Sequence, residues 1–179
     1  MSRVRIVGGA WRSRLLEVAD VPGLRPTPDR VRETVFNWLG QDLSGLRCLD
    51  LFAGTGILGF EAASRGADAV TLVERDPRAL AALARGRETL QATRVEVIRG
   101  DAVKFAQTTP NNFDVVFLDP PYKQGWLDRI EPHLERILVP GGWLYAEAEA
   151  PVHSLGGWFT TKHGRAGQVY FHLLQGRQE

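Results

Sequence analysis

An apolar run, Val115-Val116-Phe117-Leu118, passes directly into Asp119-Pro120-Pro121-Tyr122. The two prolines fix the backbone and remove two N–H donors. What remains is a set of acceptors, the Asp119 carboxylate and the nearby carbonyls including that of Pro120, beside the flat face of Tyr122. Such a set suits a planar base carrying an exocyclic NH2 group. Two acceptors hold the amine and turn its lone pair out of conjugation toward an electrophile. The aromatic ring stacks on the base, a contact worth about 1–3 kcal/mol in single-strand binders. A proline-stiffened turn with an N-capping Asp would need the same residues, but it explains less of their context.

A second group of residues precedes this one. Leu49-Asp50-Leu51-Phe52-Ala53-Gly54-Thr55-Gly56-Ile57-Leu58-Gly59 matches a GxGxxG pattern at 54, 56 and 59. Glycine at 54 and 56 lets the backbone turn tightly and approach a ligand closely. Glu74 ends the next apolar run, eighteen residues after Gly56, where an acid accepts from both hydroxyls of a ribose. The choice of ligand turns on Asp50. A pyrophosphate favours helix-terminal amides and resents a neighbouring carboxylate. S-adenosylmethionine has no phosphate, and its sulfonium and α-amino group are cationic, so it tolerates Asp50. Asp101, in Gly100-Asp101-Ala102, can accept from an adenine amine while the Ala102 N–H donates to the ring. As a lone residue it fits a helix N-cap equally well.

These residues must be positioned by strands and helices. Arg3–Gly8 and Arg14–Val18 alternate in type around Gly8-Gly9 and read as a β-hairpin. Gly23–Pro28 reads as a stiff extended loop, followed by a helix through Leu39 capped by Asp29 or Thr27. From Arg47 the pattern repeats as strand, loop and helix. Strands are expected at Cys48–Phe52, Ala69–Glu74, Val95–Arg99, Phe113–Leu118 and Gly142–Glu147, with a final antiparallel pair, Trp158–Thr161 and Gln168–Leu174, turning over Gly164 to Gly167. Helices are expected at Leu58–Ser64, Pro77–Leu90, Val103–Gln107 and Leu127–Leu138. Apolar strands separated by helices imply an α/β fold with a mostly parallel sheet covered on both faces. The reading is a Rossmann-like, seven-stranded sheet, with a basic hairpin and helix at residues 1–40 and the ligand-binding domain at 41–179. Ligands of such sheets lie at the carboxyl ends of the strands, near the switch in strand order.

Composition narrows the classes. Of 179 residues, 44% are hydrophobic and 24% charged, which excludes disorder as the main state. One cysteine excludes an intrachain disulfide and a Cys-rich zinc site. No apolar run approaches the ~20 residues that span a bilayer, and the first residues lack the apolar core of a signal peptide. A cytosolic protein is expected. Residues 1–40 hold seven Arg against four acids, and the remainder fifteen bases against seventeen acids. A basic arm on a near-neutral body points to a polyanion, although a solvated basic face accounts for the charge equally well.

These motifs resemble the class I S-adenosylmethionine-dependent methyltransferases that methylate amino groups. Arg5-Ile6-Val7-Gly8-Gly9-x-Trp11-Arg12, Gly23-Leu24-Arg25-Pro26-Thr27, Asp29-Arg30-Val31-Arg32-Glu33 and Phe36-Asn37-Trp38-Leu39 resemble the N-terminal region of the RsmD family. The resemblance covers essentially the whole chain. Ser13 and Leu15 stand where the family would have Gly and Lys. The resemblance implies methyl transfer to the 2-amino group of a guanine of the G966 type in bacterial 16S rRNA, in line and without a covalent enzyme intermediate. It implies an amine site of Asp119, Pro120, Pro121 and Tyr122. Cofactor contacts would come from Asp50, Phe52, Ala53, Gly54 and Gly56 on the first loop. Glu74, Arg75, Asp101, Ala102 and Asp119 would complete them at the other strand ends. Arg5, Arg12, Arg14, Arg25, Arg30 and Arg32 are the RNA-facing candidates. The expected partner is 16S rRNA in the small subunit or its precursor, bound by a monomer, with no metal.

Three competing readings explain less. A base methylase for DNA adenine or another RNA leaves the N-terminal block without a role. A nicotinamide oxidoreductase leaves Asp119-Pro120-Pro121-Tyr122 unexplained. A non-catalytic RNA-binding module would not need Asp50, Gly54, Gly56, Glu74 and Asp119 all intact. Cys48 is expected in the core and His133, His153, His163 and His172 in surface or structural positions. Trp126, Trp143 and Trp158 are expected to pack, and Glu147 and Glu149 to face solvent.

Overall fold

In the computed structural model, which describes residues 2–177, an antiparallel hairpin leads the chain. It comprises β1 (Ser2–Arg5) and β2 (Leu15–Val18). Val4, Leu16 and Val18 point inward and their neighbours outward, the period-2 alternation of a half-buried sheet. Ser13, where the resemblance would place Gly, has φ 72°, the left-handed region that favours glycine. Helix α1 (Asp29–Leu39) buries Val31, Val35 and Phe36 on one face. Its N-cap is Pro28, with no side-chain cap. Neither Asp29 nor Thr27 caps it, because Asp29 pairs with Arg32 and the Thr27 hydroxyl is engaged elsewhere.

The body alternates as expected: β3 (Arg47–Asp50), α2 (Ile57–Ser64), β4 (Ala69–Glu74), α3 (Pro77–Thr89), β5 (Val95–Arg99), α4 (Ala102–Thr108) and β6 (Phe113–Leu118). The helix expected over Leu127–Leu138 is broken. Helix α5 (Trp126–Ile130) runs into a 3-10 turn (Glu131–His133), then α6 (Leu134–Ile137). Pro132 lies at the break, where a missing N–H removes an α-helical bond. Strand β7 (Leu138–Ala148) starts earlier than expected, running through Pro140-Gly141 with an irregular register against β6. The end of the chain holds β8 (Ser154–Leu155), β9 (Trp158–Ala166) and β10 (Val169–Gly176).

The main sheet therefore has eight strands, one more than expected, in the order β5-β4-β3-β6-β7-β10-β9-β8. The addition is the two-residue β8. Strands β3 to β7 are parallel, and β10, β9 and β8 are antiparallel. Strand β9 also runs past Gly164, which lies under the Phe171 ring, a place where a Cβ would come within 2.4 Å of ring carbon. The chain leaves β3 outward to β4 and β5, then returns to β6 on the other side, so the order switches between β3 and β6.

Two apolar cores flank the sheet. One packs Val4, Leu16, Val35 and Phe36 with Phe60, Leu72, Phe117 and Tyr145. The other packs Val116, Leu118 and Leu144 with Ala106, Ile130 and Leu134. Residues 1–40 thus share a core with the sheet. A buried ionic cluster reinforces that junction. Glu61 Oε2 accepts from Arg32 Nη1 at 2.6 Å, Glu61 Oε1 accepts from Arg65 Nη1 at 2.7 Å, and both oxygens accept from the Val7 N–H. Arg32 also donates to the carbonyls of Arg5 (2.6 Å) and Thr27 (2.9 Å). Among the described residues no buried side-chain N or O lacks a partner. Among them, too, no helix is long and apolar enough to cross a membrane.

Candidate active site

The switch between β3 and β6 places Asp50 at the end of one strand and Asp119 just beyond the other, with Asp50 paired to Phe117 in register. The glycine loop leaves β3 here. Gly54 has φ 55° and Gly56 φ 79°. A Cβ on Gly56 would meet Leu83 at 2.4 Å, and one on Gly59 would meet Leu72 at 2.2 Å. Glycine at 56 therefore serves both the turn and the packing, and glycine at 59 lets α2 lie close on β4. The Ala53 N–H donates to the Val73 carbonyl at 3.0 Å, stitching the loop to β4.

Glu74, at the end of β4, organises this loop. It accepts from the Gly54 N–H at 2.9 Å, the Arg75 N–H at 3.0 Å and the Asp76 N–H at 3.2 Å. Asp101 Oδ2 caps α4 by accepting from the Lys104 N–H at 2.9 Å, while Ala102 is buried at the first turn. Phe52 is half-buried and packs edge-on to Trp126 at 5.4 Å between centroids. Arg75 and Arg129 lie over the Trp126 ring at 5.5 and 4.0 Å. The structure thus gathers Asp50, Phe52, Ala53, Gly54, Gly56, Glu74 and Arg75 around one loop. Asp101 and Ala102 stand at the neighbouring strand end.

The electrostatics select among ligands. Asp50 is 2% exposed and accepts only a 3.3 Å bond from the Phe52 N–H. Burial pushes its carboxyl up to about 7, with the charges of Glu74 and Glu147 adding to the rise against that bond. Among the described residues it has no ion-pair partner. A buried carboxylate beneath a glycine loop fits a cationic ligand group and opposes a pyrophosphate. The residues present therefore fit S-adenosylmethionine.

Asp119 follows β6 into the Pro120-Pro121 segment. Burial, then the charge and hydrogen bond of Glu147 and the charge of Asp50, hold its carboxyl well above the usual range, with the Thr27 hydroxyl acting in the opposite sense. Pro120 is buried and Pro121 exposed. Tyr122 is 44% exposed at the rim. Partial burial and the acids nearby push its phenol to about 12, so it presents a neutral ring at physiological pH.

Glu147 escaped the sequence reading, and for Arg25-Pro26-Thr27 that reading left open a place over the cofactor without giving Thr27 a partner. Glu147 does not face solvent; it is buried at the end of β7. Its Oε1 accepts from the Tyr145 hydroxyl at 2.5 Å and the Thr27 hydroxyl at 3.4 Å. The signal available was position, since Glu147 ends the strand predicted to follow the one ending in Asp119. Thr27 arrives on the Gly23–Pro28 loop, which also brings Leu24 against Gly54. Among the arginines, Arg32 is a correction: it is fully buried and saturated by Glu61, Asp29 and two carbonyls, so it cannot face RNA. Arg5, Arg12, Arg14, Arg25 and Arg30 are exposed. The other expectations agree with the structure for Cys48, buried in the core with its thiol pushed up to about 12 chiefly by burial. His172 is structural, with Nδ1 against the Ala146 carbonyl and Nε2 accepting from the Val152 N–H.

The family described as conserved hypothetical protein 95 matches residues 4–175. Ribosomal RNA small subunit methyltransferase D of Escherichia coli K12 is 41% identical over 182 residues, covering 97% of this chain and 90% of the relative. Its namesake from Haemophilus influenzae is 40% identical over 180 residues, covering 96% and 93%. The solved structure of the Escherichia coli protein yhhF superimposes with a TM-score of 0.89 at 39% identity, over 99% of this chain and 100% of that one. With a glycine loop and an Asp-Pro-Pro-Tyr segment side by side at the switch in strand order, and with relatives of this identity along nearly its whole length, the chain belongs to the RsmD family, within the class I S-adenosylmethionine-dependent methyltransferases.

Proposed function

We propose that this chain, acting as a monomer, methylates the exocyclic 2-amino group of one guanine in 16S rRNA, of the G966 type, in the small subunit or an assembly intermediate. The observation that carries this reading is the Asp119 carboxyl just past the end of β6, beside the Asp50 and glycine-loop cradle and followed closely by the exposed Tyr122.

S-adenosylmethionine, when bound, would supply an electrophilic methyl group on a sulfonium sulfur, which would keep the electron pair of the broken bond. Asp50 would balance the cationic end of that ligand, Glu74 would accept from its ribose, and Asp101 with Ala102 would read its adenine. Asp119 and the Pro120 carbonyl accept from the guanine amine and orient its lone pair. Orientation of this kind can be worth about 7–11 kcal/mol when the reacting atoms are held in line. An aryl amine is a weak base, so no strong general base acts before transfer; Asp119 takes the amine proton afterwards. Tyr122 stacks on the guanine. A base inside a duplex cannot reach this rim, so the target is unpaired or flipped out. Arg5, Arg12, Arg14, Arg25 and Arg30 contact the surrounding phosphates.

Modification mapping tests this reading in the cell. Small-subunit rRNA from cells lacking this protein should lose one 2-methylguanosine and regain it on complementation. An unchanged 2-methylguanosine content, with a methyl group lost from adenine instead, would contradict it.

A further inference from the structure

Asp50, Asp119 and Glu147 lie at or just past the carboxyl ends of three adjacent strands, β3, β6 and β7. Leu118 pairs with Ala146 in register, so Asp119 and Glu147 are neighbours across the sheet. The groups facing them are also acidic or neutral. Glu74 and Glu147 act on Asp50, the Tyr145 hydroxyl donates to Glu147, and Tyr122 senses Asp119, Glu147 and Glu149. Among the described residues no Lys, Arg or His forms an ion pair with any of the three carboxyls. None of them belongs to a group arranged to hold a metal ion. Neighbouring carboxyls in such surroundings, Glu147 buried and Asp119 partly buried, resist ionising together, and one proton between them resolves the conflict.

The hydrogen bonds indicate where that proton lies. Glu147 Oε1 is an acceptor, receiving Tyr145 and Thr27. Among the described residues Oε2 receives no such donor, which leaves it for a proton shared with Asp119. We propose that Glu147 is a positioning residue of the amine site: it holds one proton shared with Asp119, and so keeps Asp119 a singly charged acceptor fixed toward the guanine amine. The inference rests on the methyl-transfer reading above. Thr27 and Tyr145 hold Glu147, and Arg32 holds Thr27 through its carbonyl, which links the acceptor to the buried cluster at Glu61. Burial and Glu147 displace the Asp119 carboxyl upward, the direction that a proton shared by the pair requires.

Glu147→Gln is the informative variant. Its amide NH2 replaces the proton donor, and its amide carbonyl keeps the acceptor for Tyr145 and Thr27. Glu147→Ala should lower the single-turnover methylation rate about 100-fold, with cofactor affinity and the KM for small subunits little changed. Glu147→Gln should recover most of that rate, and it should lack the decline at alkaline pH that the wild type shows as the shared proton is lost. A residue that merely supported folding would not alter the pH profile. Infrared difference spectroscopy of the protein alone supplies a readout independent of activity. In an Asp50→Asn background, which removes the other raised carboxyl, a protonated-carboxyl C=O band at neutral pH should be present and should disappear when Glu147→Gln is added. Superimposable pH profiles for wild type and Glu147→Gln, or a spectrum without that band, would overturn the proposal. The band without methyl transfer to any RNA would overturn the methyl-transfer reading and leave the shared proton standing.

Discussion

Asp50 is a buried carboxyl whose ordinary value of 3.8 rises to about 7 in the folded chain, chiefly through burial. Between those values the folded state binds a proton that the unfolded state has released. Stability of the ligand-free protein therefore falls as pH rises across that window and levels off above it. Asp50→Asn should raise that stability by about 1–4 kcal/mol at pH 8 and change it little below the unfolded value, as urea denaturation at a series of pH values would show. The same substitution should weaken S-adenosylmethionine binding, because the cationic ligand loses its counter-charge. Parallel pH profiles for the two proteins would contradict this account of Asp50. Asp119→Ala should lower kcat about 10²–10³-fold while the Kd for S-adenosylmethionine stays nearly constant, measured by single-turnover kinetics and calorimetry. Equal losses in both would argue against the amine assignment. Asp119 and the glycines were legible in the sequence because chemistry and backbone constraint coincide in short contiguous motifs. Glu147 and its pairing with Thr27 were not, because the two meet across 120 residues of chain and each alone resembles an ordinary polar residue.

At the scale of elements, the hairpin and α1 are fastened to α2 rather than tethered as a free arm. The Gly8-Gly9 turn presses on the end of α2, where the Ala10 N–H donates to the Ser64 carbonyl at 2.7 Å and the Ser64 hydroxyl donates to the Gly8 carbonyl at 2.6 Å. A Cβ on Gly9 would lie 2.1 Å from that Ser64 carbonyl oxygen. The Glu61 cluster sits beneath. Glu61→Ala would strand Arg32 and Arg65 without their carboxylate, and it should cost about 3–5 kcal/mol in urea denaturation. A loss under 1 kcal/mol would mean that the cluster is not what fastens the hairpin. Periodicity located nearly every element, yet it read Arg32 as an exposed basic residue. A charged side chain on the buried face of α1 is ambiguous until its carboxylate partner, 29 residues away, is brought beside it. Periodicity also ran a single helix across Pro132 and ended β9 before Gly164. In both places packing and backbone chemistry decide: a missing N–H in the first, and a strand glycine that makes room for Phe171 in the second.

For the whole molecule, a mostly parallel sheet with its ligand at the strand ends followed from apolar strands alternating with helices, and the strand order places the switch between β3 and β6, where the site lies. The two-residue β8 carries too little pattern to be read from sequence. The excess of arginine over acid within residues 1–40 lies on the layer that covers one face of the sheet, and Arg5, Arg12, Arg14, Arg25 and Arg30, exposed there, are the phosphate contacts proposed above. RNA affinity should therefore fall with salt by about 0.7 log units per contact per decade, and the double substitution Arg12→Ala, Arg30→Ala should reduce the slope by about 1.4. A slope indifferent to both would remove these residues from the interface. The most direct measurement is transfer of labelled methyl from S-adenosylmethionine to unmethylated small subunits, naked 16S rRNA, tRNA and duplex DNA, followed by nucleoside identification. The account predicts label in 2-methylguanosine from small-subunit RNA and none in tRNA or DNA. Label in 6-methyladenosine, or in DNA alone, would contradict it.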